Sequence, residues 1–285
     1  MPGIQAFFDD ATSTASFLVW DRETKAAAVI DAVLDFDSAT GKLSTTSADR
    51  MLARTREQGL GVVWVLETHA HADHLSAADY IRRKTGARVG IGARITEVQT
   101  RFRALFGAPE AETEASVFDA LFEDGEVFKI GGIEARVLHT PGHTPACVTY
   151  VINDAAFVGD TLFMPDYGTA RADFPGGDAT ALYRSIRRIL ALPPETRIFV
   201  GHDYLPAGRS KPAWETTVAD ERAANIHVHD GVTEEDFVKL RMARDRTLAA
   251  PKLILPSLQV NIRGGALPKP EADGRIYLRT PVTTP

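Results

Sequence analysis

The sequence predicts a layered α/β fold, and three observations lead to this prediction. Short apolar runs with strand character alternate with segments of helical character as far as residue 201. One of these runs, at 61–66, is continuously apolar and rich in β-branched residues, which is typical of a strand buried on both faces. The chain has 285 residues, 44% hydrophobic and 25% charged, so it is long and apolar enough to bury a large core.

Strand and helix signals alternate through the first half of the chain. N-cap candidates at 45–49 and Gly59 delimit one predicted helix, and Ser76 and Gly86 delimit a second. Residues 93–120 are predicted to be helical, with a polar, alanine-rich surface. Apolar runs bounded by polar turns predict strands at 15–20, 26–31, 61–66 and 87–91.

The second half opens with a predicted hairpin at 127–138, around a turn of two glycines. Further strands are predicted at 146–152, 156–163 and 197–201, and helices at 178–192, 214–224 and 233–248, before an extended tail. No repeat or long flexible linker interrupts this order. We therefore expect a single domain, 1–285, with a helical and extended C-terminal appendage at about 205–285.

A dense cluster of histidines follows the strand at 61–66 directly. His69, His71 and His74, three of only eight histidines in the chain, lie within six positions together with Asp73. Neutral imidazole nitrogens and a carboxylate are the ligands that a borderline divalent metal prefers. The cluster therefore predicts a metal site rather than a polar loop that is rich in histidine by chance.

Three further ligand candidates each lie at or just after the end of an apolar run: His143, Asp160 and His202. Open α/β sheets build binding sites from residues at the carboxyl ends of several strands. We expect these residues to meet the histidine cluster at one rim of the sheet.

The remaining histidines have simpler interpretations. His139 precedes a Pro-Gly turn and is interpreted as structural, and His227 and His229 are interpreted as surface residues because no carboxylate-rich strand end leads into them. The single cysteine, Cys147, lies in an apolar strand and is interpreted as a buried, inert thiol.

Composition excludes several classes of protein. The net charge of −6 argues against a general nucleic-acid or anionic-membrane binder. One cysteine permits neither an internal disulfide framework nor a thiolate zinc site. The N-terminus shows no secretory signal and no segment reaches the length of a membrane span, so we expect a cytoplasmic protein.

The stretch Thr-His-Ala-His-Ala-Asp-His at 68–74, with the later His143, Asp160 and His202, resembles the metallo-β-lactamase superfamily. That resemblance implies an αββα sandwich: two mixed sheets face to face, helices on the outside, and the site at one edge. Because this fold supports many activities, the subfamily needs separate support.

Three further stretches, at 140–149, 159–174 and 201–225, resemble persulfide dioxygenases. These are iron enzymes related to glyoxalase II that oxidise glutathione persulfide to sulfite. The tail at 260–270 resembles that of bacterial β-lactamase-hydrolase-like proteins. The segment at 164–170 and the tail at 253–285 are longer than in the shorter dioxygenases, and we expect both regions to shape the substrate pocket.

The dioxygenase resemblance implies one Fe(II) per chain, bound by His69, His143 and Asp160, with O2 and a small thiol persulfide as substrates. Arg171 and Tyr204 are then candidates for binding the carboxylates of the thiol carrier, with Arg263 a weaker one. An ion pair with Asp173 is an equally good interpretation of Arg171. A homodimer and a sulfurtransferase partner are additional hypotheses. The residues expected to orient ligands and to hydrogen-bond bound water are His71, Asp73, His74 and His202.

The alternative is a hydrolase like glyoxalase II with two Zn(II) ions. His69, His71 and His143 would bind one zinc and Asp73, His74 and His202 the other, while Asp160 bridges them. A bridging hydroxide would attack a thioester. Both hypotheses need the same residues, so spacing does not choose the metal.

Overall fold

Two mixed β-sheets, each of six strands, form the centre of the computed structural model, which describes residues 1–282. In chain order the strands are β1 (Gly3–Asp9), β2 (Thr14–Trp20), β3 (Ala26–Ile30), β4 (Val33–Asp37), β5 (Lys42–Ser44), β6 (Gly61–Leu66), β7 (Leu75–Ser76), β8 (Arg88–Gly92), β9 (Ala120–Phe122), β10 (Val127–Ile130), β11 (Ile133–His139), β12 (Val148–Ile152), β13 (Ala155–Gly159), β14 (Arg197–Val200) and β15 (Glu215–Thr217). The helices are α1 (Thr46–Gln58), α2 (Ala78–Thr85), α3 (Ile95–Phe106), α4 (Ala179–Ile189), α5 (Val218–Ala224), α6 (Glu234–Asp245) and α7 (Ile254–Asn261).

The first sheet has the order β1-β2-β3-β6-β8-β9, with parallel pairing from β3 to β9. The second has the order β10-β11-β12-β13-β14-β15, and only β13 and β14 in it are parallel. A small sheet of β5, β4 and β7 lies beside them. Right-handed crossovers through helices are the usual way to connect such parallel neighbours, which explains the alternation read from the sequence.

The buried apolar side chains form three layers, one between the two sheets and one between each sheet and its helices. Phe17 of the first sheet contacts Phe157 and Phe199 of the second, with ring centroids 5.3 and 5.5 Å apart. Leu18, next to Phe17, points to the opposite face, where α1, α2, α3 and α7 cover the first sheet. Helices α4, α5 and α6 cover the outer face of the second sheet. The order helix, sheet, sheet, helix confirms the predicted αββα sandwich.

Several elements differ from the prediction. The helix predicted at 93–120 ends at Phe106 and gives way to two short 3₁₀ turns and β9. Residues 215–217 form the edge strand β15 instead of the start of a helix. Within the predicted extended tail, 254–261 is the helix α7, while 283–285 lie outside the described residues. Pro256 resembles a helix breaker in the sequence, but it occupies the first turn, where its missing N–H has no intrahelical partner.

Strands β1, β4 and β5 were not predicted from the sequence. Most of their residues are half-buried or exposed, so their apolar pattern is weak. Among residues 1–282, no helix has the length and apolar character that crossing a bilayer requires.

Candidate metal centre

The predicted ligands lie on loops at one edge of the sandwich. Strands β11, β13 and β14 run in the same direction, so their carboxyl ends lie together, and the end of β6 in the first sheet meets them there. Two backbone hydrogen bonds join the sheets at this edge: Val148 N donates to Thr68 O (2.9 Å) and Ala15 N donates to Gly201 O (2.8 Å). The sandwich therefore holds ligands from both sheets at a shared rim.

His69 is oriented through its neighbour Thr68. The Thr68 hydroxyl donates to Asp31 Oδ2 (2.8 Å) and lies 3.0 Å from His69 Nδ1. Because the hydroxyl proton goes to Asp31, His69 Nδ1 must be the donor in the second bond, and Nε2 is left free to bind a metal. Gly159 makes room for this contact, since a Cβ there would lie 2.3 Å from Thr68 Oγ1.

His143 is oriented by a backbone carbonyl. Its Nδ1 lies 2.8 Å from Arg171 O, an acceptor, so Nδ1 carries the proton and Nε2 is again free. His143 Nε2 lies 3.7 Å and His69 Nε2 3.9 Å from Asp160 Oδ2. Two imidazole nitrogens and a carboxylate oxygen thus converge on one point.

A second group of possible ligands gathers beside the first: His71, Asp73, His74 and His202. His202 Nδ1 lies 3.2 Å from Ser13 O, so Nε2 is its free nitrogen. That nitrogen lies 3.1 Å from Asp73 Oδ2 and 3.3 Å from Asp160 Oδ1. Asp160 therefore turns one oxygen towards each group.

His71 differs from the other histidines because two buried carboxylates face its Nε2. Asp31 Oδ1 lies 3.0 Å and Glu67 Oε2 3.4 Å from this nitrogen. Burial alone lowers the pKa of His71, but Asp31 and Glu67 outweigh it and hold the pKa well above its usual value. By contrast, burial and the charges of His71 and His143 hold the pKa of His69 well below its usual value, which keeps that imidazole neutral.

The arrangement fits a divalent metal ion. Unpartnered buried polar atoms cost about 1–3 kcal/mol each, so a group of them in one place indicates a ligand. Nitrogen and carboxylate donors of this kind suit iron or zinc. The buried donor atoms that lack a hydrogen-bond partner among residues 1–282 include His69 Nε2, His71 Nδ1, Asp73 Oδ2, His74 Nε2, Asp160 Oδ1 and His202 Nε2.

The predicted substrate-binding residues have different environments. Tyr204 is 42% exposed and stacks on His202, with ring centroids 5.5 Å apart and planes at 13°. Arg171 donates through Nε and Nη2 to both carboxylate oxygens of Asp173, and through Nη1 to Ala249 O (2.7 Å). The structure thus has the ion pair that the sequence left as the other interpretation of Arg171.

The structure corrects the interpretation of His227 as a surface residue and supports the interpretation of Cys147 as an inert thiol. His227 is buried, not exposed, and its Nδ1 accepts a hydrogen bond from Thr169 N (3.1 Å). Burial raises the pKa of Cys147 to about 12, as expected for an inert thiol. Arg263 is buried, and its guanidinium pairs with Glu112 (3.2 Å).

Sequence reasoning missed two residues that organise the site. Asp31 accepts hydrogen bonds from Thr68 N (2.7 Å) and its hydroxyl, and it also faces His71. Asp31 lies at the end of the apolar run 26–31, and this position could have indicated a site residue. Asn261 contacts the histidine cluster from 190 residues away, and no local pattern indicates that.

Comparison with known proteins identifies the class. Residues 9–202 match the family described as Metallo-beta-lactamase superfamily. The chain therefore belongs to this superfamily of metalloenzymes, and its histidine–aspartate cluster is the metal-binding site of such a fold.

Individual relatives carry different names. The chain is 55% identical over 281 residues to the Beta-lactamase hydrolase-like protein of Xylella fastidiosa, covering 99% of this chain but only 65% of that protein. It is 45% identical over 282 residues to Glyoxylase B2 of Dictyostelium discoideum (98% and 96% covered). It is 29% identical over 265 residues to the human mitochondrial Persulfide dioxygenase ETHE1 (92% and 88% covered).

Among solved structures, ETHE1 from Myxococcus xanthus superposes with a TM-score of 0.75 at 30% identity, covering 93% of this chain and 100% of that one. The resemblance predicted from the sequence, to both the persulfide dioxygenases and the hydrolase-like proteins, is confirmed.

Proposed function

We propose that this protein is a persulfide dioxygenase that uses one ferrous ion to oxidise glutathione persulfide, or a similar small thiol persulfide, to sulfite. The environment of His71 carries the proposal, because its ring lies close to that of His69, at a centroid distance of 4.1 Å, and yet its nitrogens are not among the converging ligand atoms of the first group. His69, His143 and Asp160 gather without His71, whose Nε2 faces Asp31 and Glu67. Two histidines and one carboxylate leave coordination positions open, as is typical of non-haem Fe(II) oxygenases.

The reaction adds three oxygen atoms to the outer sulfur of the persulfide. In balanced form, RSSH, O2 and H2O give RSH, SO3²⁻ and two protons. The S–S bond breaks, the outer sulfur becomes sulfite and the inner sulfur the thiol, and the net four electrons that the two sulfurs lose are accepted by O2. When bound, ferrous iron would supply the centre at which the sulfur and O2 meet and exchange these electrons.

Residues around the proposed iron ligands would position water and the thiol carrier. The Asp73 side chain is 23% exposed while His202 beside it is fully buried, so Asp73 is the group that reaches solvent. We assign Asp73 the hydrogen bond to the water that the reaction consumes. Tyr204, exposed beside His202, would contact the carrier, with Tyr167 packed against it at a ring-centroid distance of 5.3 Å. Arg171 would contribute through the carbonyl that orients His143.

Oxygen consumption by ferrous protein tests this proposal. Protein purified without oxygen and loaded with iron is expected to consume O2 only when glutathione persulfide is added. One sulfite should form for each O2 consumed. His143→Ala should abolish the uptake, whereas His229→Ala, on an exposed histidine, should not change it. Iron-loaded protein that forms no sulfite would refute the assignment.

A binuclear zinc hydrolase is the second candidate, and one feature of the site favours it. Asp160 presents one oxygen to each ligand group, as a bridging carboxylate would, and the second group is complete. The relative named Glyoxylase B2, at 45% identity, points the same way. Two zinc ions per chain, with rapid hydrolysis of S-lactoylglutathione and no O2 uptake, would establish this activity in place of the dioxygenase.

A further inference from the structure

Asn261, the last residue of α7, contacts the metal-binding loop from the outside. Its Nδ2 donates to the carbonyl oxygens of His71 (2.8 Å) and His74 (2.9 Å), and its Oδ1 accepts from Ser76 N (2.8 Å). The side chain is buried, with 4% of the residue exposed. One amide thus fixes three backbone groups of a six-residue segment.

Asparagine is well suited to this position. Its amide has two donor hydrogens and one acceptor oxygen, and the loop presents two acceptors and one donor to it. This matching also fixes the orientation of the amide, because a flipped amide would place its oxygen against the two carbonyl oxygens. An isosteric aspartate would keep the bond to Ser76 N and repel both carbonyls.

The contact acts on one part of the site. His71, Asp73 and His74 lie within the segment that Asn261 holds, and His202 completes their group. His69, in the other group, is held separately, through Thr68 and Asp31. Loss of the Asn261 amide should therefore affect the two groups unequally.

We propose that Asn261 is a positioning residue that holds the 71–76 loop in the conformation in which His71, Asp73 and His74 can act together. This role applies whether the enzyme oxidises persulfides or hydrolyses thioesters, because it concerns the shape of the loop. It gives the C-terminal helix α7 a direct part in building a site whose ligands all lie before residue 203.

Two substitutions and a matched control separate this role from general packing. Asn261→Asp removes both donations at constant size, and Asn261→Ala removes all three bonds. The control is Gln259→Ala, two residues earlier on the same helix. Gln259 is also buried, and its amide makes three hydrogen bonds, but to Arg279 and Leu255 rather than to the loop.

Hydrogen–deuterium exchange of the metal-free proteins gives the first measurement. We expect faster exchange in peptides covering 71–76 in both Asn261 variants, by roughly tenfold or more. Asn261→Ala leaves the Ser76 amide without its acceptor, and Asn261→Asp repels the carbonyls of His71 and His74, so in both variants the loop opens more often. Exchange in the same peptides should be unchanged in Gln259→Ala. Unchanged exchange in the Asn261 variants, or an equal rise in the control, would overturn the proposal.

Titration with Co(II) gives the second measurement, with the d–d absorption bands as the signal. The tightest binding step, at His69, His143 and Asp160, should be retained in Asn261→Asp. Any weaker step at the second group should lose roughly 10- to 100-fold in affinity, the usual effect of removing a residue that orients ligands. Loss of the tightest step, as if the whole site had collapsed, would contradict a role confined to the loop.

Discussion

Replacing Asp31 with asparagine would remove one buried negative charge beneath two of the site histidines without changing the shape of the side chain. Asp31 accepts two hydrogen bonds from Thr68 and lies 3.0 Å from His71 Nε2. Removing one partner of a buried ion pair typically costs about 3–5 kcal/mol. We therefore expect the free energy of unfolding of the metal-free protein to fall by roughly that amount.

The same substitution should weaken metal binding. Asparagine can accept only one of the two hydrogen bonds from Thr68 at a time, so the Thr68 hydroxyl is free to turn, and His69 loses its fixed tautomer. We expect the metal affinity to drop roughly 10- to 100-fold, as for other residues that orient ligands. Competition with a chromophoric chelator measures this affinity, and urea denaturation measures the stability.

Asp21→Asn is the matched control for Asp31→Asn. Asp21 is also buried and accepts hydrogen bonds from a threonine hydroxyl and from two backbone N–H groups, but it lies in the turn after β2 and contacts no histidine. The control should leave metal affinity unchanged. If Asp31→Asn bound metal as tightly as the wild type, the role assigned to the Asp31–Thr68–His69 chain would be refuted.

Three further substitutions or reactions test separate features. Burial raises the pKa of Glu221 from its ordinary 4.5 to about 8, so between these values the folded state holds a proton that the unfolded state releases. The free energy of unfolding should therefore fall by up to roughly 1.4 kcal/mol per pH unit between pH 5 and 8. Glu221→Gln should remove this pH dependence, as measured by urea denaturation at about pH 5.5 and 7.5. If the free energy of unfolding depended on pH equally in the wild type and in Glu221→Gln, the raised pKa of Glu221 would be contradicted. Gly159→Ala places a Cβ at 2.3 Å from Thr68 Oγ1 with φ at 52°, and should lower stability by roughly 1–3 kcal/mol in thermal unfolding; an unchanged melting temperature would show that Thr68 can move. Cys147, with its pKa near 12, should resist alkylation by iodoacetamide until the protein unfolds, and rapid labelling of the native protein would contradict its burial.

The meeting of the predicted ligands at one edge could be expected from the sequence because its signal is local. His69, His143, Asp160 and His202 each follow an apolar run within a few residues, and these runs form strands whose ends lie at one edge. The strand at 61–66 was predicted as buried on both faces because it is continuously apolar. In the structure this holds for its carboxyl half, where Trp64 packs between the sheets and Val65 packs under the helices, whereas Gly61 and Val63 are exposed.

Long-range contacts could not be read from local patterns. Asn261 meets His71 only because α7 packs beside β7, 190 residues along the chain from the histidine. The burial of His227 likewise depends on the close approach of the 168–169 backbone, where a Cβ on Gly168 would lie 2.1 Å from His227 Nδ1. Helix α7 was not predicted; its Pro256 resembles a helix breaker in the sequence, and only the structure shows that this residue falls in a first turn.

The iron content of two histidine variants tests most directly whether three residues alone hold the metal. His71→Ala and His143→Ala, loaded with ferrous iron and desalted without oxygen, would be compared with the wild type by elemental analysis. The mononuclear assignment predicts that His71→Ala keeps about one iron per chain while His143→Ala loses it. Equal loss of metal from both variants would contradict the assignment and place His71 among the ligands.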